Sequence, residues 1–376
     1  MQRWDIFCAV IDNFGDIGVC WRLARQLVAE RGEQVRLWVD DLASFHRICP
    51  AVEANVDGQR VDGIDIRHWM ADFPTWDAEM VADVVVEAFA CELPATYLAA
   101  MAQRAIPPVW LNLEYLSAED WVADCHGMAS RHPRLPLTKY FFFPGFTTQS
   151  GGLLCETGLL AARAAFDTDV QATFWQRLNV PAKQPGELRI SLFSYHNPAM
   201  PALLQTWVDG PNLTRLLVPE GRATEQLATW YGHALAVGQV TQQGNLIVQV
   251  LPFTEQPEYD RLLWACDINF VRGEDSFVRA QWAQRPFVWH IYPQADDAHR
   301  VKLDIFLDRY LVNLPELDVV RRCWHAWNGD GDIVASWAGF RAQTDALTQH
   351  SQHWACQLHQ LGDLAGNLAC FVESKL

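Results

Sequence analysis

The stretch that decides the fold is Ile6-Phe7-Cys8-Ala9-Val10-Ile11-Asp12-Asn13-Phe14-Gly15-Asp16-Ile17-Gly18. A short apolar run ends in a glycine-bearing turn. A helical pattern follows over residues 19–30, Gly32 ends it, and 35–39 reads as the next strand. Strand, turn, helix and strand in that order open a βαβ unit. The turn is not GxGxxG and lacks the Lys-Ser/Thr of a P-loop, which disfavours dinucleotide binding. It does set Asp12 and Asp16 at a strand end, with Asp16 near a helix N-terminus whose dipole favours the ionised form. Turn formation and N-capping account for the same two acids equally well.

Working outward, the alternation continues. Strands are predicted at 84–86 and 109–113, the latter ending near Glu114 and Tyr115, and one helix at 158–178. Pro181-Ala182-Lys183-Gln184-Pro185-Gly186 breaks the pattern and reads as a linker. A second series has strands at 188–194, 213–218, 246–251, 268–271 and 287–290, with helices near 257–265 and 276–284. A last long or broken helix spans 349–372. The fold class is therefore α/β, with two halves that each form a parallel sheet under covering helices. The expected domains are 1–180, joined by a C-terminal helix at about 360–376, and 186–359. Ligands of such sheets bind beyond the carboxyl ends of the strands, and a cleft between two sheets is the default site.

Composition sets limits. At 376 residues and 50% hydrophobic, the chain can bury two sizeable cores. A net charge of −16 argues against a general nucleic-acid binder. None of the ten cysteines forms a CxxC pair, and several sit in apolar runs, so they read as reduced thiols of a cytoplasmic protein. The N-terminal apolar run is too brief for a signal peptide, and no segment reaches the ~18 apolar residues of a membrane span. The 17 tryptophans suit sugar rings, but large core and interface positions account for most of them.

Two more constellations carry chemistry. Asn269-Phe270-Val271-Arg272-Gly273-Glu274-Asp275-Ser276 runs from a strand into a helix start. Glycine permits close backbone approach, the helix amides point at an anion, and Arg272 adds fixed charge, so a diphosphate fits. Glu274 and Asp275 would then face hydroxyls or the acceptor. In Leu251-Pro252-Phe253-Thr254-Glu255-Gln256-Pro257-Glu258-Tyr259, aromatics and an amide suit a flat base, and Phe193-Ser194-Tyr195 offers another wall. Core packing explains Phe193 and Phe253 taken singly. Asp167-Thr168-Asp169 and Asp330-Gly331-Asp332 match DxD but read as solvated acids, the histidines show no HxH or HExxH pattern, and no metal site is expected.

Four long motifs then resemble one family. They are Asp12 to Arg22, Leu111-Asn112-Leu113-Glu114-Tyr115-Leu116 running on to Trp121, Phe142-Phe143-Pro144-Gly145-Phe146, and Arg272 to Trp282. The chain is similar over its whole length to the protein-arginine rhamnosyltransferases of bacterial elongation factor P, the EarP family. The resemblance implies a GT-B fold with a final helix crossing back to the first domain. It implies dTDP-β-L-rhamnose as co-substrate, elongation factor P as protein acceptor, inversion, and no metal or other cofactor. The modification relieves ribosome stalling at proline runs. Carried over by motif, the catalytic acids are Asp12, Asp16 and Glu274. Donor binding falls to Asn13, Phe14, Gly15, Phe193, Tyr195, Phe253, Gln256, Tyr259, Arg272, Asp275 and Ser276. Without the resemblance, a GT-B enzyme with another donor or acceptor would come first, and a non-catalytic nucleotide-sugar-binding protein would need the base and phosphate groups but not the paired acids Asp12 and Asp16.

Overall fold

A computed structural model describes residues 1–12, 14–294, 298–312, 314 and 318–376. The chain divides into two compact units, Met1–Thr157 with Gln357–Leu376, and Gly158–Cys356.

The first unit is built on β1 (Arg3–Cys8), β2 (Gln34–Val39), β3 (Gly58–Val61), β4 (Ile64–His68), β5 (Val84–Ala88), β6 (Val109–Leu113), β7 (Ala129–Arg131) and β8 (Thr138–Phe142), in the order β3-β4-β2-β1-β5-β6-β8-β7. The central pairings are parallel, while β3 and β7 run antiparallel to β4 and β8 at the two edges. Every residue of β5 and β6 is buried, as a parallel strand covered on both faces requires. The helix Gly15–Arg31 packs back on β2 and ends at Gly32 in a left-handed cap, φ 68°. Phe7, stacked on Trp38 at 5.6 Å and edge-on to Tyr97 at 4.8 Å, anchors the opposite face.

The second unit repeats the plan with β9 (Leu188–Leu192), β10 (Thr214–Pro219), β11 (Val240–Gln243), β12 (Leu246–Leu251), β13 (Ile268–Arg272) and β14 (Phe287–His290), in the order β11-β12-β10-β9-β13-β14. Trp207, Phe270, Trp327 and Trp337 fill one face. Burying side chains of this size contributes roughly 1.5–3 kcal/mol each, and that weight explains much of the tryptophan content.

Both sheets start in the middle and change direction once. The first runs outward from β1 through β2, then returns to β5, and the second runs from β9 through β10, then returns to β13. The switch points therefore lie at β1/β5 and β9/β13, where open α/β sheets bind ligands.

The domain boundary differs from the sequence expectation. Residues 158–180 belong with the second unit, and the predicted single helix is two, Leu159–Ala164 and Thr168–Arg177. Arg163 donates to the Ala283 carbonyl at 2.9 Å, Phe166 meets Trp264 edge-on at 5.5 Å, and the Arg189 guanidinium lies 4.7 Å over Trp175. Residues 181–186 are no linker either. The Pro181 carbonyl accepts from Arg189 at 2.6 Å, and Lys183 pairs with Asp267 at 2.6 Å. Proline and glycine broke the pattern, but the packing continues through them. At the other end the last helix, Leu364–Glu373, returns to the first unit, where Gln26 donates to Asp363 at 2.8 Å and Arg31 to the Gly366 carbonyl at 3.1 Å.

Candidate active site

In the first unit, β1 stops at Cys8, earlier than its apolar run, so Ala9 to Asp12 form a loop above the switch point. Val10 N–H donates to Asp40 at 2.9 Å beyond the end of β2, and Gly15 N–H closes a turn onto the Asp12 carbonyl at 2.8 Å. The N-cap of the following helix is Phe14, with no side-chain cap bond, so neither Asp12 nor Asp16 serves as the cap. Asp16 instead turns back. Its Oδ2 accepts from Ile11 N–H at 2.8 Å and Asp12 N–H at 2.9 Å, and Tyr115 donates its hydroxyl to Oδ1 at 3.2 Å. Only 2% of Asp16 is exposed. Burial raises its carboxyl above the usual range, against the three hydrogen bonds, and the neighbouring Asp12 adds to the rise. The helix dipole favours the charged form, and desolvation works against it.

Tyr115 was missed as a site residue. It follows β6 and stacks on Phe89, which follows β5, at 4.5 Å. Phe89, Ala90 and Glu92 all have φ between 53° and 57°. Non-glycine residues rarely hold that conformation, and clusters of it mark functional sites. Glu114 beside it is half-buried, and burial raises its carboxyl too, against Lys139. The available signal was an aromatic residue immediately past a buried strand. Phe14 and Gly15 lie in the same turn, and a Cβ on Gly15 would come within 3.3 Å of the Asp12 carboxylate. Asn13 falls outside the described residues.

In the second unit the predicted residues converge at the other switch point. Arg272 ends β13, is 5% exposed, and places its guanidinium 4.5 Å from the ring centres of both Phe193 and Tyr195, which follow β9. Phe193 also meets Tyr259 edge-on at 5.7 Å. Gly273 takes φ 61°, a conformation glycine adopts without cost, and its carbonyl accepts from Trp289 at 2.9 Å. The helix Asp275–Ala283 then begins, with Glu274 at the N-cap and no side-chain cap bond. Ser276 Oγ accepts from Arg272 N–H at 3.0 Å, and Gln256 donates to Asp275 at 3.3 Å. The buried pair Arg279–Asp260, bidentate at 3.0 and 2.7 Å, locks this helix to Gln256–Ala265. Phe253 stands half-buried past the end of β12, in the loop leading to Gln256. Burial pushes the Tyr259 hydroxyl well up, so it stays protonated.

The DxD sequences are helix caps. Asp167 accepts from Asp169 and Val170 N–H, both at 3.0 Å, and Asp332 from Val334 and Ala335 N–H at 2.8 and 3.1 Å. Among the described residues no group of three or more His, Cys, Asp or Glu is placed to hold a metal ion, and no helix is long and apolar enough to cross a membrane. None of the ten cysteines, all among the described residues, is in a disulfide.

Chemically, one unit offers a buried carboxylate of raised basicity and the other a fixed cation on an aromatic platform beside helix-start amides. The first suits proton acceptance and the second an anionic leaving group.

Comparison with known proteins gives the family of the chain. The model of the family described as elongation-factor P (EF-P) rhamnosyltransferase EarP matches residues 4–373. A protein-arginine rhamnosyltransferase of Pseudomonas aeruginosa is 50% identical, with all of both chains covered. A solved structure described as the structural basis for EarP-mediated arginine glycosylation of translation elongation factor EF-P is 38% identical and covers both chains fully at a TM-score of 0.71. A glycosyltransferase from Rickettsia africae shares the fold alone, at 9% identity and a TM-score of 0.54 over 99% of this chain and 98% of that one.

Proposed function

The chain belongs to the EarP family of protein-arginine rhamnosyltransferases, GT-B enzymes, and from that premise we propose that it carries rhamnose from dTDP-β-L-rhamnose to one arginine of elongation factor P, with inversion and without a metal. The observation that supports the residue assignment most is the pair of switch-point sites. Asp16 is buried in one, and Arg272 sits on Phe193 and Tyr195 in the other.

Arginine is a poor nucleophile, because its guanidinium keeps its proton to a pH above ~12. A carboxylate can grip the planar fork and polarise one nitrogen. Asp16 acts as general base: a guanidinium nitrogen attacks the anomeric carbon while its proton passes to the carboxylate. The bond from that carbon to the diphosphate oxygen breaks, and dTDP departs with the electron pair. Its new charge is met by Arg272 and the amides around Asp275 and Ser276. Asp12 orients the guanidinium, and Glu274 holds the sugar or the incoming nitrogen. The base lies on the Phe193, Phe253 and Tyr259 side, with Gln256 at its edge. The raised basicity of Asp16 favours this role, because a general base works best with a pKa nearer the working pH. The metal-independent reading is supported by the use of Asp167 and Asp332 as caps.

Incubating the chain with dTDP-β-L-rhamnose and elongation factor P should add one deoxyhexose to one arginine. Intact mass locates the gain, and NMR should read an α linkage, the inverted product. No gain, or a gain only with a different nucleotide sugar, would overturn the reading.

A further inference from the structure

His290 closes β14, in register with Arg272 at the end of β13. Its ring stands edge-on to Tyr195 at 5.3 Å and to Trp327 at 5.9 Å, and Tyr195 is itself one of the two rings beneath the Arg272 guanidinium. The residue is 6% exposed, and its Nδ1 is buried with no hydrogen-bond partner. The Ser194 hydroxyl, next to Tyr195 in the chain and at 1% exposure, is likewise buried without a partner. A buried polar atom left unpaired costs about 1–3 kcal/mol, and folded proteins keep few of them. An unpaired ring nitrogen packed against the ring that carries a cation, with an unpaired hydroxyl one residue from that ring in the chain, suits a ligand with several acceptor oxygens. A core histidine would ordinarily satisfy its ring nitrogen on a backbone carbonyl, and His290 does not.

We propose that His290 binds the donor diphosphate as a neutral imidazole, giving a ring N–H to a phosphate oxygen beside Arg272, with the Ser194 hydroxyl as a second donor. The inference rests on the donor site proposed above. Burial pushes the His290 imidazolium down to about 3, and the charges facing it, Arg272 together with His299 and His196, act in the same direction. The ring therefore donates without carrying charge. A neutral donor holds the diphosphate in place without adding to the cation already supplied by Arg272, and its strength does not change across the physiological pH range.

The test is dTDP binding by calorimetry, for the parent chain and for H290A, joined to ¹⁵N NMR of the histidine ring in the parent. H290A should bind dTDP roughly tenfold or more weakly, the value of one hydrogen bond to a charged group. The His290 ring nitrogens should shift on adding dTDP and keep the signature of a neutral tautomer between pH 6 and 8. If H290A does not fold, H290F keeps the packing, removes both nitrogens and carries the same comparison. A variant that binds within twofold of the parent overturns the inference, as do ring nitrogens that ignore dTDP or that become doubly protonated when it binds. A parent chain that fails to bind dTDP at all removes the donor site itself, a separate and recognisable failure.

Discussion

The two switch points use the same local grammar for opposite ends. Each is a strand, a turn with glycine and a helix that starts without a side-chain cap, on Phe14 in one unit and Glu274 in the other. Elsewhere in the chain, Asp41, Asp167, Asp332 and Asp363 cap their helices in the ordinary way. Helices such as Ala95–Gln103, Met200–Asp209 and Arg222–Tyr231 also start without a side-chain cap, worth ~0.5–2 kcal/mol, so it is the surrounding residues that set the two switch points apart. They differ in where the charge goes. In the first unit a carboxylate is folded inward onto its own loop amides and made more basic. In the second a guanidinium is laid across two rings and kept as a fixed cation. One site is tuned to take a proton, the other to hold an anion.

The largest effect should come from breaking the first half of that contrast. Asp16→Asn keeps an oxygen for Ile11 and Asp12 N–H but cannot accept the arginine proton. Turnover, read by intact mass of elongation factor P, should fall at least ~100-fold, the low end for a lost general base. Stability should not fall with it. A carboxyl whose folded pKa lies above its unfolded one favours the folded state most at low pH, and that contribution is lost as pH rises through the folded value. At neutral pH the buried charge is a net cost, so the asparagine variant should melt at the same temperature or higher. Near-normal turnover in a folded variant would remove Asp16 as the base.

Arg272→Ala tests the second half. Losing the cation should weaken dTDP binding by ~10- to 100-fold, in line with 1.5–3 kcal/mol for a hydrogen bond to a charged group. Arg272→Lys should fall between, since an ammonium keeps the charge but not the flat stack on Phe193 and Tyr195. Unchanged calorimetric affinity for the alanine variant would take Arg272 out of the donor site.

Tyr115→Phe sharpens the comparison more gently. Its hydroxyl supports the ionised form of Asp16. Removing it should raise the Asp16 carboxyl further and move the acidic limb of the pH–rate profile to higher pH, with about a fivefold loss on that limb for ~1 kcal/mol. A limb that stays in place would show that Tyr115 only packs against Phe89.

How much of this was legible in the sequence follows from where each force acts. Val109–Leu113, Leu246–Leu251 and Phe287–His290 were placed at their observed bounds, because a covered parallel strand reads as a nearly continuous apolar run. β3, β7 and β11 were not, being short edge strands with mostly exposed residues. The turn around Asp12 and the Arg272 motif could be singled out from residue type at a strand end. The inward turn of Asp16 could not, since it depends on Tyr115, brought in from β6 by sheet order. The platform under Arg272 likewise depends on β9 and β13 lying side by side, although far apart in the chain. The misplaced boundary at 180 has the same origin: Asp167 looked like one more acid inside a helix, when it starts a new one.

The smallest effects should come from the acids that only resemble a metal motif, and they separate the two uses of aspartate in this chain. Asp332 accepts from two helix-start amides at 2.8 and 3.1 Å, in an exposed turn beside Gly331. Asp332→Ala should cost about 0.5–2 kcal/mol in stability, read from the melting temperature or a denaturant midpoint. Rhamnosylation should be unchanged, and a chelator should not alter it in either parent or variant. If Asp332 held a catalytic cation instead, the variant would lose turnover while keeping its stability, and added divalent ion would restore part of the rate. A melting shift without a kinetic one would set Asp332 with the capping acids, apart from Asp16, where the opposite pattern is expected.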